Sequence, residues 1–447
     1  MKHNYRIKQL ILLGGDLFCF LTAFYLALFL RYLNLPNKET ILSLLPIFFL
    51  LFIIWIFVNY INEMYKINKL KNGKFGLDIL FSAFFSFLIG IVFFYLLPFS
   101  IAPKTILFLN VITAFSFLFF WRLFFKKTLI KSFNQKIIFV DDNNDSRELK
   151  KIIKENPELG FIIFENEITN RKLSEVVKEE NIDIVIVKDE TKTQTTTKET
   201  NENELYKIFL ENKQIIDLAN FYENITGRIS PNVFCEAWFL ENLQNMPTPF
   251  QNRFNRFVDI LAATFLSGIF LLLFPIIALA IKLDSQGPIF FKQTRTGLQN
   301  KKFKMCKFRT MYVLSKDGSA ETHGFEFAIK KDNRITKIGH FLRKSRIDEL
   351  PQIINLFKGD LTLIGPRPER PEIIEELNKK MPFYNLRHII KPGITGWAQV
   401  NQHYTDNIET SLEKLQYDLY YIKNRSLLLD ITIVFKTINV ILRGKGQ

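Results

Sequence analysis

The sequence predicts a membrane protein of mixed α and α/β construction. Four transmembrane helices form a bundle over 1–130, a soluble α/β domain covers 131–250, and a mainly α domain covers 251–447. The last returns to the membrane through a proline-kinked helix, 256–283. Three observations predict this layout. Four apolar runs crowd the first 130 residues, short β-branched runs then alternate with helical spacing, and a fifth apolar run carries Pro275 inside it.

The four runs cover about 8–31, 42–62, 77–98 and 105–125. Each approaches the roughly 20 residues that cross about 30 Å of hydrocarbon as a helix. The first is too long for a cleaved leader and lacks a small-residue cleavage site, so it is expected to be retained. Lys2, Arg6 and Lys8 precede the first run, Lys66, Lys69, Lys71 and Lys74 follow the second, and Lys126, Lys127 and Lys131 follow the fourth. The other two loops are nearly uncharged, so the positive-inside bias puts both ends of the bundle in the cytoplasm.

Past residue 135, KIIFV (136–140), FIIF (161–164) and IDIVIV (182–187) read as buried strands. Helices are expected at 146–156 and about 172–180, and the alternation predicts a small parallel sheet. The first strand ends in VDDNNDS, with no glycine-rich turn for a dinucleotide. A structural or oligomerisation role is therefore expected of this domain. The polar stretch 190–204 reads as a loop or disordered insertion.

The fifth run, about 257–281, follows Arg253 and Arg256 and ends at Lys282. A full crossing from the cytoplasm would export the basic remainder of the chain. Pro275 removes a backbone donor and breaks the helical ladder. A helix that enters, bends and returns on the same face satisfies both facts; an ordinary fifth span with a tolerated proline is the alternative.

The chain has 447 residues and a net charge of +15; from residue 251 onward, 31 Lys and Arg stand against 18 Asp and Glu. Such a surface attracts nucleic acid, anionic lipid or anionic small substrates. Interleaved exposed aromatics and a recognition helix are both missing, so nucleic acid is not an expected partner. Three distant cysteines predict neither a disulfide framework nor a zinc site.

The chemistry concentrates in RKSRIDELPQIINLFKGDLTLIGPRPER, 343–370. Pro351 suits the first turn of a helix that Gly359 stops, which puts Asp348 and Glu349 at its N-terminus. A carboxylate that approaches a phosphate meets repulsion of roughly 4 kcal/mol at about 4 Å and an effective dielectric of 20. Arg343, Arg346 and Arg367 are candidates to offset it, and a Mg²⁺ held by Glu349 and substrate oxygens would neutralise more. Asp348 could then act as a nucleophile. A lone Asp-Glu pair would more often be surface charge, but flanking arginines, a GPRP turn and a membrane helix favour a site. Lys307 and Arg309, in KMCKFRTM, are read as substrate-phosphate contacts. Trp397 is read as packing before a sugar platform.

GPIFFKQTRTG (287–297), KFRTM, DNRITKIGHFLRK (332–344), DELPQ, GDLTLIGPRP, PGITGWAQVN and YIKNRSLLLDITIVFKT (421–437) follow one another in an order that resembles the bacterial sugar transferases, or polyprenyl-phosphate hexose-1-phosphate transferases. The four runs and a Rossmann-like module resemble the large subtype of that family. The resemblance implies transfer of a sugar-1-phosphate from a UDP-sugar to undecaprenyl phosphate, releasing UMP, as an initiating step of glycan assembly. It implies Asp348 as nucleophile through a covalent phosphosugar intermediate, and Glu349 as ligand of the cofactor Mg²⁺. Phosphate contacts are implied for Arg343 and Arg367, with Arg295 beside them in the matching QTRTG stretch, and Pro275 as the re-entrant break. It further implies the inner membrane with the catalytic domain on the cytoplasmic face, contact with membrane lipid, and a homodimer. Arg346 stands where small polar residues are common in the family, and VNQHY (400–404) replaces a commoner glycine–arginine ending. The competing reading is a membrane-anchored scaffold or sensor with an inactive transferase domain.

Overall fold

The computed structural model describes residues 2–62, 64–65, 75–96, 104–128, 134–165, 172–188, 198–243, 248–314, 332–381, 383–402 and 408–442. Lys66, Lys69, Lys71, Lys74 and Lys131, the end of VNQHY and residues 190–197 of the polar stretch lie outside the described residues. The chain divides into two compact units, Met1–Ile225 and Thr226–Gln447.

In the first unit the apolar runs form α1 (Lys2–Tyr32), α2 (Lys38–Ile61), α3 (Phe75–Leu96) and α4 (Lys104–Thr128). Each is long and apolar enough to cross a membrane. Aromatic rings fill the space between them: Phe20 meets Trp55 edge-on at 5.4 Å and packs on Phe115 at 6.0 Å. The Trp55 indole N–H donates to the Ser86 carbonyl, joining α2 to α3. Asp16 and Arg122, both fully buried, pair at 2.6 Å and join α1 to α4. Charges at such depth persist only when they neutralise one another.

The α/β part runs β1 (Gln135–Phe139), α5 (Asn144–Glu155), β2 (Phe161–Ile163), α6 (Leu173–Glu179), β3 (Ile184–Val187), α7 (Lys198–Leu210), β4 (Gln214–Asp217) and α8 (Leu218–Thr226). All pairings are parallel, in the order β2-β1-β3-β4. Strands of β-branched and aromatic residues with helices between them give this arrangement. Two features depart from the expectation. Residues 198–204, read as loop, begin α7, whose Ile208 is buried beside Val185. β4 went unread because QIID is short and half polar.

The second unit begins with α9 (Glu236–Asn242), α10 (Pro249–Asp284) and the antiparallel pair β5 (Phe290–Thr296) and β6 (Lys302–Phe308). Residues 226–243, grouped with the α/β domain in the sequence reading, pack here: Ile229, Trp238 and Phe239 share a core with Ile374, Leu377 and Leu419. Thr248 and Gln251 form a capping box at the start of α10. Arg256 fastens the first third of α10 by donating to the carbonyls of Leu356 and Phe357, both at 2.6 Å. Further along, Phe270 stacks on Phe308 at 5.9 Å and Phe274 on Phe290 at 5.8 Å. One face of α10 is thus packed along the unit, while Phe257, Leu261, Phe265, Leu272, Ile276 and Leu279 are exposed on the other.

The remainder runs α11 (Lys337–Ser345), a 3₁₀ turn (Ile347–Gln352), α12 (Ile353–Lys358), β7 (Thr362–Ile364), α13 (Pro371–Lys380), β8 (Gly393–Thr395), α14 (Trp397–Asn401), α15 (Ile408–Lys423) and α16 (Leu427–Leu442). β7 and β8 pair in parallel, and their crossing requires two glycines. A Cβ on Gly365 would lie 2.4 Å from the Lys391 carbonyl oxygen, and one on Gly393 would lie 2.0 Å from the Gly365 nitrogen. The close approach lets Gly365 N–H donate to Thr395 and Gly393 N–H donate to Pro366. This brings the GPRP and PGITG motifs together. Gly393→Ala is expected to separate β7 from β8 and lower the melting temperature by several degrees. Thermal unfolding of the variant beside the wild type checks it.

Candidate active site

Asp348 and Glu349 lie in the 3₁₀ turn that leads into α12, not at the N-terminus of a long helix. α12 has only 6 residues and ends at Gly359, whose φ of 82° forms the left-handed cap. The anion-attracting potential here therefore comes from side-chain cations, with little from a helix dipole. Entry to the turn is made by Arg346, whose φ of 58° ends α11 in the left-handed region. A non-glycine residue held there is strained, and the sharp reversal directs the dyad back toward β6.

The carboxylate of Glu349 gathers three cations on one oxygen. Lys307 Nζ and Arg367 NH2 each lie 2.9 Å from Oε1, and Arg346 NH1 lies at 3.5 Å. Burial alone would raise the pKa of Glu349, but Arg367, Lys307 and Arg346 outweigh it and hold the carboxyl well below the usual range. Asp348 is in the opposite state. Burial and then the Glu349 carboxylate push its pKa up, with Lys307, Arg346 and Arg343 opposing them. Its Oδ1 is buried with no hydrogen-bond partner among the described residues. Two adjacent carboxylates with pKa values driven apart are a recognised arrangement for dividing chemical roles.

The remaining sequence candidates separate into two groups. Arg343 is held by donating from Nε to Thr310 Oγ1 at 2.9 Å, and its charge still bears on Asp348. Arg295 lies at the back of the cluster: burial lowers its pKa to about 10, and it donates to the Pro368 carbonyl at 3.2 Å. Arg309 is not brought to the dyad. Its guanidinium donates to the carbonyls of Ile281, Ser285 and Gln286, closing the C-terminal end of α10. That corrects its reading as a phosphate contact: Arg309 ties the last turn of α10, at Ile281, to the two residues just beyond it, Ser285 and Gln286. Trp397 packs on Tyr420 at 5.7 Å and donates to the Gly227 carbonyl at 2.8 Å, a packing role. Pro275 lies within α10.

Sequence reasoning missed the half-buried Glu369 and the buried Arg387, Lys414 and Asp418, charges behind the GPRP turn. Glu369 follows that motif directly and was legible as a neighbour. The others come from distant helices, and no spacing rule links them.

Among the described residues, no group of three or more His, Cys, Asp or Glu converges as a metal cage. Mg²⁺ needs no such cage, since one or two carboxylates with substrate phosphates and water complete its octahedron. The unpartnered Asp348 Oδ1 and the adjacent Glu349 carboxylate fit that sparse donor set.

A carboxylate pair of divided acidity, ringed by fixed cations, thus lies beside the apolar helix α10. Residues 250–444 match the family described as bacterial sugar transferases. The chain is 31% identical over 358 residues to an uncharacterized sugar transferase of Haemophilus influenzae, covering 73% of each. It belongs to the bacterial sugar transferase family. It is 43% identical over 232 residues to a UDP-N-acetylgalactosamine-undecaprenyl-phosphate N-acetylgalactosaminephosphotransferase of Aeromonas hydrophila, covering 52% of this chain and 53% of that one. A UDP-glucose:undecaprenyl-phosphate glucose-1-phosphate transferase of Escherichia coli K12 is 43% identical over 185 residues, 40% of this chain and 38% of that one. The chain thus spans about half, or less, of the length of these two.

Proposed function

We propose that this protein transfers a sugar-1-phosphate from a UDP-sugar to undecaprenyl phosphate at the cytoplasmic face of a bacterial inner membrane. The single observation that carries the reading is the dyad: a buried Asp348 with an unpartnered oxygen beside a Glu349 that collects Lys307, Arg346 and Arg367. The relatives' names supply the substrate classes, UDP-sugar and undecaprenyl phosphate.

In this reading an oxygen of the Asp348 carboxylate attacks the β-phosphorus of the UDP-sugar. The bond from that phosphorus to the bridging oxygen breaks, and the electron pair leaves with UMP. The enzyme then carries an aspartyl phosphosugar. A phosphate oxygen of undecaprenyl phosphate attacks the same phosphorus, the acyl phosphate bond breaks, and Asp348 returns as carboxylate. The lipid leaves as a diphosphate-linked sugar. Lys307, Arg346 and Arg367 offset the repulsion between the attacking carboxylate and the phosphate oxygens. Mg²⁺ bound at Glu349 would neutralise further charge on the diphosphate.

The membrane arrangement follows from α10. Its 36 residues would extend about 54 Å if straight, well beyond a bilayer's hydrocarbon core. Arg256 near one end and Ile281 near the other both bond to the same folded unit. A helix crossing the membrane would put those ends on opposite faces. Re-entry at Pro275, with the exposed face of α10 in lipid, is the reading these contacts support. Four crossings by α1–α4 keep both ends of the bundle cytoplasmic.

The test is a panel of radiolabelled UDP-N-acetylgalactosamine, UDP-glucose and other UDP-sugars, supplied with undecaprenyl phosphate to membranes containing the full chain. One donor is expected to label the lipid and release UMP stoichiometrically. No donor doing so sinks the transferase reading and leaves a scaffold.

A further inference from the structure

A second ion-pair network lies directly behind the loop that carries Arg367. Its centre is Glu369. That carboxylate pairs with Lys414, with Arg295 at 3.6 Å and with Arg387 at 4.0 Å. Arg387 is fully buried, pairs with Asp418 at 2.7 Å, and donates to the Tyr384 hydroxyl at 2.5 Å. Burial would raise the pKa of Glu369, but Lys414, Arg387 and Arg295 hold it at about 2, so it is a carboxylate at any physiological pH.

The cations do more than balance charge. Arg387 NH2 donates to the backbone carbonyl of Arg367 at 2.9 Å, and Arg295 NH1 donates to that of Pro368 at 3.2 Å. The carbonyl of Glu369 itself accepts from the Thr296 amide at 2.9 Å. Three consecutive carbonyls of the loop are therefore fixed from behind. From the front of the same loop, Arg367 reaches Glu349 at 2.9 Å. A guanidinium on a flexible stem gains aim only if its backbone is held, because a misplacement of about 1 Å at a charge-stabilising group costs on the order of a hundredfold in rate.

We propose that Glu369 is a positioning residue for the transfer: its half-buried carboxylate gathers Arg295, Arg387 and Lys414, and the two arginines set the direction of Arg367 through the loop's backbone carbonyls. It rests on the transferase reading above. Glu369 itself contacts no substrate in this account and acts only through Arg367.

A double-mutant cycle on the full chain in membranes tests this, with kcat/KM for the donor that the panel identifies. Glu369→Gln is expected to lower kcat/KM by about thirtyfold in the wild-type background. In an Arg367→Ala background it is expected to cost less than about threefold, since there is no side chain left to aim. Glu369→Asp, which keeps the charge, should recover part of the loss. Equal losses in the two backgrounds, or wild-type turnover in Glu369→Gln, would overturn the proposal. If Glu369→Gln does not fold, Arg387→Lys enters the same cycle, with the same non-additivity expected and additivity overturning the idea. A wild-type chain inactive with every donor refutes the transferase reading instead, so the two failures are distinguishable.

Discussion

Asp348→Asn is expected to abolish UMP release, lowering turnover by about three orders of magnitude or more, while the protein becomes no less stable. The first half follows from removing the attacking oxygen, for which a carboxamide is no substitute. The second half follows from the sign of the pKa shift. A raised pKa means that folding disfavours the charged form of Asp348, chiefly through burial and then through Glu349. Stability linked to this group therefore grows as pH falls through the raised value, and at neutral pH the charge is a cost. A neutral isostere removes that cost, and because Oδ1 has no partner no hydrogen bond is lost there. The expected pair of results is dead chemistry with an equal or higher melting temperature. A structural acid would behave in the reverse way, losing stability with little effect on rate.

Lys307→Met has the second largest expected effect. Lys307 is the strongest of the cations that lower the pKa of Asp348, and it lies 2.9 Å from Glu349. In the proposed mechanism Asp348 attacks as a carboxylate, so activity is expected to fall as pH drops through its pKa. Removing Lys307 leaves burial and Glu349 less opposed and moves the acid limb of the profile upward. Turnover at pH 7 is expected to drop by about tenfold or more, through both protonation and lost charge stabilisation. A profile of kcat/KM against pH reads the free enzyme and separates the two causes. An acid limb that stays in place would show that Lys307 does not act on Asp348.

Much of this was legible in the sequence because the signals are local. Helices α1–α4 followed from runs of apolar residues, and the parallel strands from β-branched runs spaced by helical ones. The dyad and Arg367 were legible because carboxylates, arginines and GPRP lie within one short stretch. Lys307, from β6, is brought to the dyad; Arg309, two residues on, is not. Strand alternation would keep residues two apart on one face, but β6 ends at Phe308. Arg309 lies past that end and turns to the carbonyls at the end of α10, while Lys307 faces Glu349. The Glu369 network was illegible for another reason. Its members come from β5, the loop after β7, the turn before β8 and α15, and only the folded chain brings them together. Residues 198–204 were misread because polar composition was weighed above their ability to propagate into the helix anchored by Ile208.

The central claim is covalent, and the most direct measurement is to trap it. Full-length protein incubated with its UDP-sugar, without undecaprenyl phosphate, is quenched in acid, digested and analysed by mass spectrometry. The account predicts a peptide carrying Asp348 heavier by one phosphosugar, absent from Asp348→Asn and discharged when undecaprenyl phosphate is added before the quench. Unmodified peptide throughout, with full turnover once the lipid is supplied, would contradict it.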